Sequence, residues 1–415
     1  MDKKTLIVIG GGAAGFFCAV NAAESDPAME IIILEKHNKL LTKVRVSGGG
    51  RCNVTHSCFS ISEMIKNYPR GANFLKKAFH LFFTSDTIEW FEKRGVALKT
   101  EPDGRMFPVS NSSESIIDCL VKEVNRKGIR IQMNREVKNV KFQNKKFEIE
   151  LADSSIMWAD YVCVACGGYS KPGQFNWLQS LGHTFEDPVP SLFTFNIPDN
   201  PIKDLMGISV ENVLIKIAGT KYRQQGPVLI THWGLSGPAV LKLSAFAARE
   251  LHTMKYAFKI LVNWVPVYNE YTLREKLLRS RAELGAQKII NKNPFLLPQR
   301  LWKYLTEQSG IDENMRWADL PSKLQNVLLK NLCAQEFSVK GKTTFKEEFV
   351  TAGGIYLSEI GATNMESKRV PGLYFAGEIM DVDGITGGFN FQHAWTSGWI
   401  AGKAIAAKNM SLNAS

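Results

Sequence analysis

The chain has 415 residues and a mass of 46.4 kDa, with 45% hydrophobic, 10% aromatic and 22% charged side chains. That composition excludes a disordered, fibrous or disulfide-stapled miniature protein, and the length exceeds what one hydrophobic core supports. Lysine and arginine number 51 against 40 aspartates and glutamates, a formal charge of +11 with a pI near 9.2, so the surface field attracts anions: nucleic acid, anionic lipid or a phosphorylated ligand. Beyond the opening stretch, no segment approaches the roughly 20 uninterrupted apolar residues of a membrane span. Seven cysteines at irregular spacing argue against a disulfide framework and for a reducing cytoplasm.

The opening stretch, TLIVIGGGAAGFFCAVNAAES (5–25), follows Lys3 and Lys4 and carries no charge as far as Ala23. It can be read as a secretory signal or as strand, glycine turn and helix. Gly10, Gly12 and Gly15 form G-x-G-x-x-G directly after the β-branched run LIVI, and EIIILE then ends in Glu35, 20 residues after Gly15. A signal peptide needs none of this; a pyrophosphate site needs all of it. Gly10 makes the turn, Gly12 lets the backbone approach the phosphates, Gly15 packs helix on strand, and the helix N-terminus offers N–H donors. Residues 4–36 are therefore expected to form a dinucleotide half-site. Glu35 indicates a free ribose, as in FAD or NAD.

Next comes SGGGRCNVT (47–55), in which Ser47, Gly48, Gly49, Gly50, Arg51, Cys52 and Asn53 present open backbone N–H groups and a cation suited to phosphates and a flavin edge. Helical spacing is read at 72–93 and 111–127. The run KGIRIQ and the alternating residues 136–151 predict strands, and ADYVCVACGG (159–168) predicts a buried strand entering a Gly-Gly turn. SLFTFNIPD, SVENVLIKIAG and KYAFKILVNWVP also read as strands, whereas 270–340 has helical spacing, with prolines 294, 298 and 321 at helix boundaries. From Tyr268 to Lys342 there are 13 Lys/Arg against 8 Asp/Glu, read first as solvated helix faces and second as a binding patch. Near the end, GLYFAG reaches Gly377-Glu378 and a loop closes on Gly387-Gly388 before a long helix starting near Phe389. Glu378 is placed to accept from ribityl hydroxyls, and that helix N-terminus to stabilise charge at the N1/O2 edge of a reduced flavin.

VIGGGAAG with Glu35, VSGGGRCNVT, DGRMFPVS, ITHWGLSGPAVL, TAGGI and FAGEIMDVDGITGGFNFQHAWTSG together resemble the YhiN/BaiN-type bacterial NAD(P)/FAD-dependent oxidoreductases over nearly the whole chain. The resemblance implies an α/β fold: a glutathione-reductase-like FAD-binding Rossmann domain from 1–190 and 346–415, an inserted β-barrel domain at 191–268 and a small helical domain at 269–345. It implies FAD contacts from Gly10, Gly12, Ala13, Ala14, Gly15, Glu35, Lys36, the loop from Ser47 to Asn53, Val137, Ala165, Gly167, Gly168, Gly377, Glu378, Asp381, Gly387, Gly388, Phe389 and Asn390. Two residues depart from the pattern. His56 stands where the family is expected to carry Asn, and His393 where it is expected to carry a larger aromatic.

No second G-x-G-x-x-G follows a strand, so NAD(P)H, if it is the transient reductant, must visit a site shared with substrate. Cys163 and Cys166 form C-x-x-C on a strand, where i and i+3 face opposite sides, so packing is the expected role. Cys52, His56 and Cys58 match no common zinc frame, and no metal is expected. His232, in THWGLSGPAV, is weighed as a satisfied strand-end histidine against a proton donor over the flavin. Arg51 and His393 are the other catalytic candidates, with Arg105 weaker. The expected activity is hydride transfer between flavin N5 and a small organic substrate, best read as NAD(P)H-dependent reduction of a conjugated C=C bond. An oxygen-using amine oxidase and an FAD-dependent RNA-modifying enzyme are the alternatives, the latter left open by the +11 charge. A cytoplasmic protein with no membrane partner is expected.

Overall fold

A computed structural model of the chain describes residues 3–343 and 350–414, with side chains to 411. The chain divides into two compact units, Met1–Ser191 with Lys346–Ser415, and Leu192–Phe345. The expected domain boundary at 345/346 lies outside the described residues.

The first unit is built on a five-stranded parallel sheet in the order Leu373–Phe375, Tyr161–Val164, Thr5–Ile9, Glu30–Glu35, Arg130–Met133. Its central strands are continuous apolar runs because both faces are covered, and Leu6, Ile7, Val8, Val162, Cys163 and Val164 are wholly buried. The register places Ile9 opposite both Val164 and Leu34, and Val164 opposite Phe375. Four strand ends therefore finish level, and the loops after them leave the same edge of the sheet, where open α/β folds bind ligands.

The glycine turn leads into the helix Ala13–Ser25. Against it lies the C-terminal helix Phe389–Ala414. The two helices approach so closely that a Cβ on Gly398 would come within 2.5 Å of the Ala14 carbonyl oxygen, and one on Gly402 within 2.4 Å of the Cys18 carbonyl oxygen. Phe17 meets Trp395 at 4.9 Å and Trp90 at 4.3 Å between ring centres, and the Trp395 indole N–H donates to the Val54 carbonyl at 2.9 Å. This joins the two chain ends in one core.

The second unit is a seven-stranded sheet with helices. Its terminal strands, Gln335–Lys340 and Lys342–Thr343, are two halves of one segment that bends at Gly341, where φ is +94°. Gly341 N–H donates to the Tyr256 carbonyl at 2.8 Å, and its own carbonyl accepts from Asn196 N–H at 3.2 Å. One peptide segment thus bridges both edges and closes the sheet on itself, leaving no open edge there. The sheet and the helices Glu270–Glu283, Gln299–Gln308 and Ser322–Cys333 share one continuous core that includes Ile215, Ile260, Leu277, Trp302, Trp317 and Leu328. By contacts, 192–345 is accordingly a single unit.

Several local readings change. The helix expected at 72–93 is two, Ala72–Ala78 and Thr84–Glu92, because the Asp86 carboxylate accepts from Phe83 N–H at 2.6 Å and starts a new helix. The helix expected at 111–127 begins at Glu114. The glycine loop is preceded by a helical turn from Thr42. Helical spacing does not continue to 340: Gln335–Lys340 alternates buried and exposed and pairs with Ala257–Val262. Arg223–Thr231 is a strand that periodicity did not single out.

Replacing Gly402 with Val forces the two helices apart and should lower stability by about 2–3 kcal/mol, read as a lower urea midpoint, while Lys403→Ala should leave it unchanged.

Candidate functional site

The level strand ends gather most of the expected cofactor residues of the first unit on one edge. Gly10 turns the chain at φ +118°, and a Cβ there would strike the Ala165 carbonyl oxygen at 2.3 Å. Gly15 packs against Gly10, its Cβ position lying 2.0 Å from the Gly10 carbonyl oxygen. At Gly12, by contrast, nothing lies within 4 Å of a Cβ, so its open side faces the sheet edge. The helix beginning at Ala13 and Ala14 has no side-chain cap, leaving first-turn N–H donors free for an anion.

Glu35 ends its strand with one carboxylate oxygen accepting from Gly11 N–H at 2.9 Å and the other from His37 N–H at 2.9 Å. The adjoining chain passes alongside, with Arg135 N–H donating to the Glu35 carbonyl at 2.8 Å and Asn134 N–H to the His37 carbonyl at 3.2 Å. That brings Val137 two residues from this contact. Lys36 is exposed. Beyond Val164, Ala165 is held to Ile9 at 2.8 Å, Gly167 has φ +77° and open space, and a Cβ on Gly168 would meet Thr351 Oγ1 at 2.7 Å and the Glu378 carboxyl carbon at 3.0 Å.

Gly48, Gly49 and Gly50 have φ values of +59°, +70° and +83° in succession. Consecutive left-handed residues turn their N–H groups toward a common concavity of the kind that holds anions. Ser47 closes the preceding turn through a 3.1 Å bond from its hydroxyl to the Val44 carbonyl. Arg51 is already engaged: it donates to Glu101 at 2.6 Å and to the Gly48 carbonyl at 3.3 Å, and its guanidinium lies 3.9 Å from the Phe107 ring centre. Arg105 shares the same Glu101 carboxylate. Asn53 ties this loop to the far end of the chain, its amide donating to the Thr55 carbonyl at 3.0 Å and accepting from Gly388 N–H at 2.9 Å.

The C-terminal loop is held from several sides. His56 Nδ1–H donates to the Gly387 carbonyl at 3.0 Å, and its ring stacks on Phe389 at 4.7 Å. Asn390 and Gly384 exchange two hydrogen bonds, 2.8 and 2.9 Å. Glu378 accepts from Thr351 N–H at 2.9 Å and pairs with Lys43, and Asp381 N–H donates to the Ile355 carbonyl at 3.1 Å. Sequence reasoning did not single out three residues that hold this loop: Tyr68, whose hydroxyl donates to the Phe389 carbonyl at 2.7 Å, and the buried bidentate pair of Arg70 with Asp383, which Ser191 joins at 2.9 Å. Burial pushes the Asp383 carboxyl up, and the Arg70 guanidinium pulls it back. Their partners lie more than a hundred positions apart, so no local spacing reveals them. Thr351 was legible only as part of TAGGI.

The structure gives the titratable candidates specific states. His393 is 2% exposed; its Nε2–H donates to the Gly377 carbonyl at 3.1 Å, and burial lowers its pKa to about 4. It is therefore neutral near pH 7, with a buried, unpartnered Nδ1 lone pair. Cys52 is fully buried and its thiol is pushed up to about 12, which excludes a thiolate at neutral pH. The hydrogen bond with Cys18, together with burial, raises the Cys163 thiol, and burial takes Cys166 to about 11; all seven cysteines are free. His232 belongs to the second unit, where it is exposed in a hairpin turn with its ring 4.0 Å from that of Trp233.

FAD fits this cradle on three counts: the open sides of Gly12, Gly49, Gly50 and Gly167, the left-handed run 48–50, and the buried, unpartnered Thr351 hydroxyl beside Glu378. A family model described as HI0933-like protein Rossmann domain matches residues 4–404. The chain belongs to this family. One relative, the 3-dehydro-bile acid delta(4,6)-reductase of Clostridium scindens, is 30% identical over 97% of this chain and 98% of its own length. The ribosomal RNA dihydrouridine synthase of Escherichia coli K12 is 29% identical over 99% and 100%. Among solved structures, a 3-ketosteroid-delta4-(5alpha)-dehydrogenase from Rhodococcus jostii RHA1 superposes with a TM-score of 0.51 at 12% identity, covering 97% of both chains, a likeness of fold. The HI0933-like chain is thus a flavin-dependent oxidoreductase with an FAD-type Rossmann fold, as the motifs implied.

Substituting Gly49 with Ala puts a side chain at φ +70°, at a strain of about 1–2 kcal/mol. FAD affinity should fall roughly tenfold, measured by flavin fluorescence on reconstitution. His393 contributes a pH dependence of opposite sense to a salt-bridged histidine. Its folded pKa lies below the unfolded value, so stability is full above about pH 6.5 and is lost as pH falls toward 4. The loss between pH 7 and 5 should be about 2 kcal/mol, and His393→Gln should abolish that part of the difference in urea midpoints.

Proposed function

We propose that the protein uses FAD, reduced by NAD(P)H, to deliver a hydride to a C=C bond conjugated to a carbonyl. The observation that carries this reading is the agreement between two relatives matched over nearly their whole length. A delta(4,6)-reduction beside a 3-oxo group and the conversion of uridine to dihydrouridine place hydrogens across the same kind of bond, a C=C activated by a carbonyl. They differ in scaffold, and identities of 30% and 29% do not choose between them. When bound, FAD supplies the N5 position that takes up and gives back the hydride.

The chain's own residues supply placement and charge. Free N–H groups of Ala13 and Ala14 and the run 48–50 receive phosphate, and Glu35 and Glu378 offer acceptors to hydroxyls, one at each end of the cradle. Tyr68, Arg70 and Asn53 hold the loop 383–389 in place, so the start of the last helix is preorganised. His393 and Cys52 are unsuited to proton delivery, since one is neutral and sealed and the other holds its proton to about pH 12. The proton that completes the reduction then comes from a more exposed group or from solvent, and His232 stands as the candidate in the second unit. With no second dinucleotide motif, NAD(P)H and substrate use one site in turn.

A small enone is the first substrate reading. A uracil ring within RNA is the second, favoured by the +11 charge. Anaerobic titration with NADH and NADPH should bleach the bound flavin at a rate suited to turnover, and an added enone should restore its colour. A flavin that neither nicotinamide reduces, or that only oxygen reoxidises, would remove the reductase reading. His232→Gln should slow enone-dependent reoxidation at least tenfold while leaving flavin reduction unchanged.

A further inference from the structure

The positive charge of this protein is not spread over its surface. Residues 192–345 hold 21 Lys/Arg against 12 Asp/Glu, an excess of 9 out of the chain's 11, whereas the unit that carries the cofactor cradle is nearly neutral. Within the second unit two neighbouring helices bring part of this charge together with exposed apolar side chains. On Glu270–Glu283, positions 271, 274, 278 and 281 follow the i, i+3, i+7 spacing of one face and hold Tyr271, Arg274, Leu278 and Arg281. Tyr271 is 69% exposed and Leu278 50% exposed, although the core-facing side of the same helix is fully used by Leu273 and Leu277.

The neighbouring helix, Ser322–Cys333, contains no acidic residue and turns Lys323, Val327 and Lys330 outward. The two faces are continuous, since Arg274 Nη1 donates to Asn326 Oδ1 at 2.8 Å across the helix pair. Few carboxylates offset these cations. Glu270 lies 3.8 Å from Arg274, and among the described residues Arg281 donates to the Ala318 carbonyl at 3.3 Å. Lys323 and Lys330 form no ion pair among the described residues. Glu275 lies beside Tyr271, and the exposed Glu336 interacts electrostatically with Lys330. The face sets four cations, Arg274, Arg281, Lys323 and Lys330, against Glu270, Glu275 and Glu336, and adds an exposed aromatic ring and two exposed aliphatic side chains. They match what a single-stranded nucleic acid requires: cations for phosphates and a flat ring for a base.

We propose that this two-helix face, centred on Arg274, Arg281, Lys323, Lys330 and Tyr271, docks the backbone of RNA. The inference rests on the RNA reading of the substrate and adds where the polymer is held, on the inserted unit rather than on the cofactor-binding one. None of these residues belongs to the cofactor cradle, so flavin chemistry on a small enone does not depend on them.

The test uses the FAD-loaded full chain and a fluorescein-labelled, mixed-sequence 20-nucleotide RNA, with affinity followed by anisotropy between 50 and 300 mM salt. Replacing all four cations with Ala should weaken binding at least about tenfold at low salt and flatten the log–log salt slope, by about 0.7 for each phosphate no longer neutralised. Tyr271→Ala should weaken binding without changing the slope. A control that removes equal charge from the first unit, Lys138, Lys141, Lys145 and Lys146 to Ala, should leave the affinity within about twofold of the parent. All variants should retain the parent's melting temperature and enone turnover. Wild-type protein that binds RNA with the same affinity and slope as the four-cation variant overturns the docking face and leaves the RNA reading standing. A control as weak as that variant overturns it too, since net charge alone then explains binding. Wild-type protein with no salt-dependent RNA binding overturns the RNA reading and the docking face together, leaving the small enone.

Discussion

Everything in the cofactor-binding unit depends on two helices from opposite ends of the chain touching without side chains between them. Gly398 and Gly402 on the last helix sit against the carbonyls of Ala14 and Cys18 on the first. That approach sets the distance between the phosphate-binding turn, at one end of the first helix, and the loop 383–389 that leads into the last. A Cβ at either glycine would push the helices apart, and the packed interior, which has no slack to absorb such a shift, would pass it to the cradle. Trp395, Phe17 and Trp90 fill the flank of the contact, so the glycine seam and the aromatic wall act as one constraint.

The loop 383–389 shows how such a constraint becomes function. Its glycines give it the freedom to pass close to a planar ligand, and that same freedom has to be removed if the ligand is to be held in one orientation. Polar contacts do this from four directions: Asn53, His56, Tyr68 and Arg70 each take one backbone or carboxylate group of the loop. Asp383 is fully buried in its pair with Arg70, which makes the pair costly to break by removing the arginine alone. Burial also silences groups that composition alone marks as reactive. His393 and Cys52 lie near the cradle, yet desolvation holds the first neutral and the second protonated. Arg51 keeps its charge but commits it to Glu101 and to the face of Phe107.

The two units differ in their charge. The first unit, with its nearly balanced charge, offers backbone N–H groups and helix ends, whose attraction for an anion is short-ranged. The inserted unit holds most of the net positive charge on a closed sheet and a helical layer that share one core.

Local sequence determined the parts whose physics is local. The G-x-G-x-x-G turn, Glu35 at its fixed offset, the run 48–50 and the two Gly-rich stretches at 165–168 and 387–388 each rest on a backbone that favours glycine, a close approach or a spacing within one βαβ unit, and these turns lie where the local pattern put them. Membership in a flavin-dependent family followed from those same residues. Only the tertiary structure decided what each side chain faces: that Arg51 is spoken for by a carboxylate 50 positions away, that Arg70 and Asp383 meet across 313 positions, and that 335–343 is a strand bent at Gly341 to close a sheet rather than the end of a helix. Spacing within a segment reports the period of its own backbone, whereas ion pairs, strand closure and desolvation are set by partners brought together only when the core forms.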